Sequence, residues 1–537
     1  MSESTFDVPS AAQLTSRYTR WLIWYLIPFL ALWLLGIESL YSHPTPFYAQ
    51  FHLNFGNRIA GTTLLAVLLL TYGPVRKLAN PGYAPSSRWP GRIRAAIAAF
   101  LLACAAILCF LPGSTPVERA LSAWATLRWQ FLAIAVFIAG FGLLFRFLRQ
   151  RNWPTKPLDV KTTRLLLVGL VAFAALFAIA IAMTRGGFNG VSQAYERQSY
   201  EYIGDVGKGM SIHGLFAKYT ELHPFLSMHA KVHPPGPIAV LWLLSYVAGR
   251  EPFGLSIATI IFGALAIIPL FYWLRDIAGE TVAVAGSAIY LLVPSVVLFT
   301  ATSADILFMP FTMTTLFLFW RAIHRSSIAY AVGAGVAYAL CSILSFSLLS
   351  LGAFFAFVGL WRLASAEYRG AVFKTAAVML LAFLATHGLV WLWSGFNVYE
   401  CFLQSKAQFD TDQYELDKSS PRYAAWTFRL LNPLCWLYFV GLPVAALFVT
   451  RCLRARGSDR AWLVILVLTL LVLNLLYLAR GEGERSAMYI VPFVIAGAAL
   501  ELGHYVRASA SLAPLSATCA FLAFQCWFTE TFFYTYW

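Results

Sequence analysis

The sequence predicts an all-α polytopic membrane protein, and three observations carry that prediction. Of 537 residues, 60% are hydrophobic and 12% charged, with a mean hydropathy of +0.69, far from the roughly 45–50% apolar, 25% charged norm of soluble chains. Apolar runs recur at the length of about 20 residues that a helix needs to cross the hydrocarbon of a bilayer. The loops between them concentrate Lys and Arg, so the net charge of +15 is spread over short connections beside spans. That distribution argues for a bilayer as partner and against nucleic acid, which would need a basic soluble face. The aromatic share of 16% supplies Trp and Tyr for the two interfaces, where an apolar ring can keep a polar tip wet.

In chain order, the first apolar run begins near Trp21, behind Arg17 and Arg20. It is long enough to stay as a span rather than be removed as a signal, which places the N-terminus in the cytoplasm. Spans follow near 21–41, 57–74, 94–112, 127–147 and 163–184. Arg76, Lys77, Arg88, Arg92 and Arg94 follow the second span, and Arg146, Arg149, Arg151, Lys156, Lys161 and Arg164 separate the fourth from the fifth. With both clusters cytoplasmic, the fifth span exits on the far side.

Ile238 to Gly249 is apolar but short for a crossing at 1.5 Å per residue, and reads as a juxtamembrane or re-entrant helix. Later spans are expected near 253–273, 280–300, 304–321, 327–346, 348–363, 372–396, 430–450, 461–479, 486–506 and 511–530, for about 15 in all. If 238–249 does not cross, Arg321 and Arg325, Arg362 and Arg369, and Arg451, Arg454, Arg456 and Arg460 all become cytoplasmic; if it crosses, all move outside. The positive-inside bias favours the first parity. The cysteines Cys104, Cys109, Cys341, Cys435, Cys452, Cys519 and Cys526 lie in or beside apolar helices and Cys401 near an outer loop. They form neither a disulfide framework nor a paired zinc spacing.

One segment breaks the apolar pattern. Arg185 to Pro237 is aromatic and charged, holds Tyr200-Glu201-Tyr202-Ile203-Gly204-Asp205-Val206, and ends in His229-Ala230-Lys231-Val232-His233-Pro234-Pro235-Gly236-Pro237. Connections of this length are usually functional. On the same outer face the preferred parity collects Asp305 in Thr302-Ser303-Ala304-Asp305, the run Glu482-Gly483-Glu484-Arg485, and a second outer loop over 397–428. Ionisable groups at membrane depth are costly, so an interior or water-filled cavity is their expected place.

A long first outer loop with an acidic residue, closing on a His-Pro-Pro-Gly-Pro helix start, resembles the GT-C superfamily of integral-membrane glycosyltransferases. The protein O-mannosyltransferases and lipid A aminoarabinose transferases, the family 39-like enzymes, are of this kind. Pro294 followed by Ala304-Asp305, and Gly483-Glu484-Arg485 as a late arginine-bearing loop, extend the likeness over approximately 163–537. The resemblance implies a GT-C-like fold that takes a sugar from a polyprenyl-phosphate donor and passes it to a glycan, lipid or protein acceptor on the outer, periplasmic side of the inner membrane. Such transfer needs a base for the acceptor hydroxyl, cations for the leaving phosphate and a site that excludes water.

On that reading Asp205 is the first candidate base and Glu201 the second; in a helix the two share a face at i,i+4 and one becomes harder to ionise. The alternative is that both are solvated or capping acids. Lys231 and His233, beside a helix start, are candidates for phosphate or sugar, or parts of a rigid proline turn; His223 and His229 read as ordinary loop residues. Arg485 suits phosphate because a guanidinium binds its oxygens bidentately, unless it snorkels or pairs with Glu484. Glu484 and Asp305 are further substrate-binding candidates, Asp305 alternatively an N-cap. Glu400, Lys406, Asp410, Asp412, Asp417, Lys418 and Arg422 of the second loop read mostly as solvated.

No cofactor is implied. A divalent cation stays open, although the first loop has no compact Asp-x-Asp and Asp410-Thr411-Asp412 is a weak signal. Direct displacement from the donor needs one base and inverts the anomeric centre; a retaining route would need a second carboxylate, for which Glu201 is the choice. Residues 1–150 are expected to form an N-terminal four-helix transmembrane addition to a catalytic domain over 151–537. Two other functions fit a polytopic chain: a lipid-linked glycan polymerase or ligase, and a secondary transporter. The latter should show internal repeats and charged or broken helices at mid-membrane.

Overall fold

The computed structural model describes residues 8–34, 50–51, 55–79, 89–110, 114–419, 425–476 and 483–534. Residues 35–41 of the first expected span, Arg88, residues 420–424 of the second loop and Glu482 lie outside them. The described chain is helical apart from a two-residue antiparallel pair, Gln50–Phe51 with Phe533–Tyr534.

Four helices come first: α1 Ala11–Leu34, α2 Phe55–Ala79, α3 Trp89–Cys109 and α4 Pro116–Gln150. Thr115 opens α4 with a capping box, its hydroxyl receiving the Glu118 amide while the Glu118 carboxylate receives that of Thr115, which satisfies two of the donors a helix start leaves over. α5, Val160–Gly186, starts on Asp159, whose carboxylate accepts the Thr162 amide, and ends at Gly187 in a positive-φ conformation that a side chain resists.

The segment expected as an irregular loop is built of short helices: α6 Asn189–Glu196, a 3₁₀ turn over Tyr202–Asp205, α7 Ile212–Ala217, α8 Tyr219–Leu222 and α9 Met228–Lys231. α10, Gly236–Ala248, follows from Pro235. It is 13 residues long, and both of its ends stay at one end of the bundle. Gly236 sits so close to the Ile343 carbonyl that a Cβ would approach it to 2.3 Å, and Arg250, beyond the other end, lies against Gly207 of the preceding segment. These contacts fit the juxtamembrane reading of α10.

The remaining helices are α11 Pro252–Ala264, α12 Ile267–Ala278, α13 Glu280–Tyr290, α14 Pro294–Thr300, α15 Phe308–Arg325, α16 Ile328–Leu344, α17 Leu351–Leu363 and α18 Ala366–Ser394. Then come α19 Val398–Ser419, α20 Ala425–Phe439, α21 Leu442–Arg454, α22 Gly457–Leu475, α23 Gly483–Ser509 and α24 Ala513–Phe532. Among the described residues, 9 stretches are long and apolar enough to cross a bilayer, or up to 11 when each bent pair counts as one span. The fold is that of a polytopic all-α membrane protein, and the expected total of about 15 spans is not reached among the described residues.

Two expectations change. The second outer loop is largely the polar helix α19, whose Lys406–Asp410 pair lies on an exposed face. The span expected near 430–450 is α20 and α21, bent by 108°. Gly441, at φ 95°, makes the break possible. Gln525 of α24 makes it affordable in hydrocarbon: its Oε1 accepts the Leu442 amide at 3.0 Å and its Nε2 donates to the Tyr438 carbonyl at 2.7 Å, satisfying the backbone groups the helix has released.

Ion pairs define the two ends of the bundle. At one, Arg321 clasps Asp276 with two hydrogen bonds of 2.6 and 3.3 Å, and Glu501 takes Arg454 at 2.8 Å. Arg17 and Arg454 both donate to Tyr505. The Leu158 amide donates to Glu280 at 3.0 Å. This end gathers the basic clusters around 146–164, 321–325, 362–369 and 451–460. The opposite end carries the 187–235 segment, Asp305 and Arg485.

Candidate active site

Glu201 and Asp205 do not share a helical face. The chain is extended at Glu201 and enters the 3₁₀ turn immediately after it, so the two carboxylates serve different parts of the segment. Asp205 is fully buried. Its Oδ1 accepts from Lys208 Nζ at 2.6 Å, and the Ser227 amide donates to Oδ1 and Oδ2 at 3.1 and 3.0 Å. Lys208 also donates to the Phe225 carbonyl at 2.6 Å. Asp205 thus fastens the 3₁₀ turn to the start of α9. Gly204 lets that turn close, since a Cβ there would lie 2.0 Å from the Gln198 carbonyl oxygen.

Glu201 is equally buried, at 1% exposure, but neither carboxylate oxygen receives a hydrogen bond. Its polar neighbour is His229 Nδ1, 3.3 Å from Oε1. A buried carboxylate without donors is expensive, which makes this the outstanding polar feature of the segment. The Tyr202 hydroxyl beside it is buried and also without a hydrogen-bond partner. Burial, and then the nearby charges of Asp305 and Glu201, raise its pKa well above the ordinary value, against the influence of Arg485.

Asp305 and Arg485 meet across the site, Arg485 Nε to Asp305 Oδ2 at 3.1 Å, with side-chain exposures of 11% and 9%. Asp305 is not an N-cap: it lies inside the 3₁₀ turn Ala304–Leu307, and the Ser303 hydroxyl receives its amide at 3.2 Å. A small pocket opens beside Asp305, walled by Phe308, Met309, Leu348, Leu351 and Tyr489. The buried Glu484 carboxylate accepts from the Cys435 thiol.

His233 stands between Tyr202 and Phe308, with ring centroids at 5.7 and 6.1 Å. Its Nδ1 lies 2.9 Å from the His229 carbonyl. Burial pushes its pKa down to about 4, against the charge of Asp305, so the ring is neutral at physiological pH. Lys231 is half-buried; its carbonyl accepts from His223, while its ammonium has no hydrogen bond or ion pair among the described residues. Tyr219 holds the turn that carries both, donating to the carbonyls of Ala230 and His233 at 2.9 and 2.8 Å.

The fold therefore gathers Glu201, His233, Asp305 and Arg485 around Tyr202 and sets Asp205 into the frame of the segment. His229, read from sequence as an ordinary loop residue, is the neighbour of Glu201. Its spacing of four from His233 was the available signal. Tyr202 had none beyond its place between two acids. Among the described residues no three His, Cys, Asp or Glu side chains are grouped as metal ligands.

Residues 232–393 match the sequence pattern of a family described as dolichyl-phosphate-mannose-protein mannosyltransferase. The matched stretch begins at the His-Pro-Pro-Gly turn and runs through Asp305 to α18, and it supports assignment to the GT-C type of membrane glycosyltransferase expected from the sequence. Glu201, Asp205, Lys231 and Arg485 fall outside it. No curated protein matches the chain.

Proposed function

We propose that this protein transfers a sugar from a polyprenyl-phosphate donor to an acceptor on the outer, periplasmic face of the cell membrane, the N-terminus being cytoplasmic. In this reading residues 1–150 are an added four-helix unit and 151–537 the catalytic unit. The observation that carries the proposal is the juxtaposition, at one end of an apolar bundle, of a buried carboxylate lacking donors, Glu201, with the buried Asp305–Arg485 pair.

Each group has a chemical task. Glu201 is the base that takes the proton of the acceptor hydroxyl, because its oxygens are not already committed, whereas both oxygens of Asp205 accept loop donors. Arg485 binds the leaving phosphate, with Asp305 holding the guanidinium in place until the donor arrives. Lys231 adds a second cation and neutral His233 a wall for the sugar. As acceptor oxygen bonds to the anomeric carbon, the bond from that carbon to the phosphate oxygen breaks. Polyprenyl phosphate leaves with the electron pair, and the configuration inverts.

The test is sugar transfer in proteoliposomes from a panel of radiolabelled polyprenyl-phosphate sugars, comparing wild type with Glu201→Gln, Asp205→Asn and Arg485→Ala. Loss of turnover in Glu201→Gln with donor binding retained is the expected result. Full turnover in that variant removes Glu201 as the base, and absence of turnover from every donor removes the polyprenyl-phosphate reading.

A further inference from the structure

At the opposite end from the candidate site, a cavity of about 510 Å³ opens between the start of α1, the end of α4 and the start of α24. Ala513, Ser516, Ala517 and Ala520 of α24 form its floor, and Arg149 and Trp153 stand at its rim. This volume lies within the roughly 300–1,000 Å³ of small-molecule sites, and nothing in the transfer chemistry uses it. We propose that it seats the phosphate headgroup and upper acyl chain of an anionic phospholipid drawn from the bilayer.

Charge selects this occupant. Arg149 is exposed and has no acidic partner among the described residues; Arg146 and Arg151 flank it on the same helix end, and α1 brings Arg17 and Arg20 to this end of the bundle. Arg146, Arg149, Arg151, Lys156 and Lys161 outnumber the nearby acids Asp159 and Glu280. The field at the rim is therefore positive, and basic pockets between spans at such a face select anionic headgroups. The small side chains of the floor leave room for methylenes beside the lipid-facing surface of α4, where Leu143 is 68% exposed. The Trp153 ring, 4% exposed, closes the side away from the bilayer.

Native mass spectrometry of the full-length protein, equilibrated with phosphatidylglycerol or phosphatidylcholine, tests the proposal. Phosphatidylglycerol is expected to be retained in preference to phosphatidylcholine. Arg149→Gln should lower that retention roughly fivefold, equivalent to about 1 kcal/mol per juxtamembrane cation, and Ala517→Phe, which fills the floor, should abolish it. Equal retention of the two lipids, unchanged retention in both variants, or displacement by soluble glycerol phosphate would each overturn the proposal. So would a dimer mass that Ala517→Phe removes, because the cavity would then be filled by a second copy of the chain.

Discussion

The two ends of the bundle handle charge in opposite ways. At the basic end the acids have close donors: Arg454 donates to Glu501 at 2.8 Å, Arg321 to Asp276 with both arms and the Leu158 amide to Glu280. At the other end buried Glu201 has only His229 Nδ1, at 3.3 Å, as a polar neighbour and no hydrogen bond to either oxygen, beside a Tyr202 hydroxyl that also has none. Burial of charge alone therefore does not distinguish catalysis from architecture, and the proposed function rests instead on which buried acid lacks a close donor. Asp205 is as deeply buried as Glu201 yet fully engaged, so the proposal gives it a structural task.

The strongest challenge to this contrast is Arg485→Ala. It strands Asp305 without its cation, for which about 3–5 kcal/mol of stability is the usual cost, and transfer should be lost with it. The double variant Asp305→Asn/Arg485→Gln should melt closer to wild type in detergent while remaining inactive; recovered transfer would assign the pair to architecture. Next in size, Glu201→Gln should lower transfer by about 10²-fold or more with little change in melting temperature. Asp205→Asn should do the reverse, losing roughly 1.5–3 kcal/mol through its weakened charged hydrogen bonds and keeping a larger share of activity. If both variants act alike on rate and melting, the distinction between them fails.

The smallest effect concerns pH. His233 has a folded-state pKa of about 4 against an ordinary 6.5, so the unfolded chain binds its proton first as the medium becomes acidic. Its contribution to stability is complete above pH 6.5 and is lost as pH falls through about 4. His233→Gln should flatten that part of the stability profile, read by thermal unfolding between pH 7 and 4; an unchanged slope would show that other groups carry it.

Much of this was legible in the sequence because the bilayer reads composition directly. Span positions, the basic end and the short α10 follow from apolar length and loop charge. Glu201, His233, Asp305 and Arg485, candidates from the sequence, also lie near one another in the fold. The sequence put Asp205 ahead of Glu201 as the base, and the proposal reverses that order because of the donors the folded segment aims at each carboxylate. Ser227 and Lys208 reach Asp205 across a turn that no periodicity announces. The break between α20 and α21 was hidden for a similar reason, because the group that satisfies it is a glutamine 83 residues away.

That glutamine also sets an order of assembly. Ribosomes deliver α20 and α21 to the membrane well before α24, and until α24 arrives the Leu442 amide and Tyr438 carbonyl lack the partners that Gln525 gives them. Each such orphan costs several kcal/mol in lipid, so the sharp bend at the middle of the chain depends on α24 for its stability. The centre of the fold is complete only once α24 has packed against it.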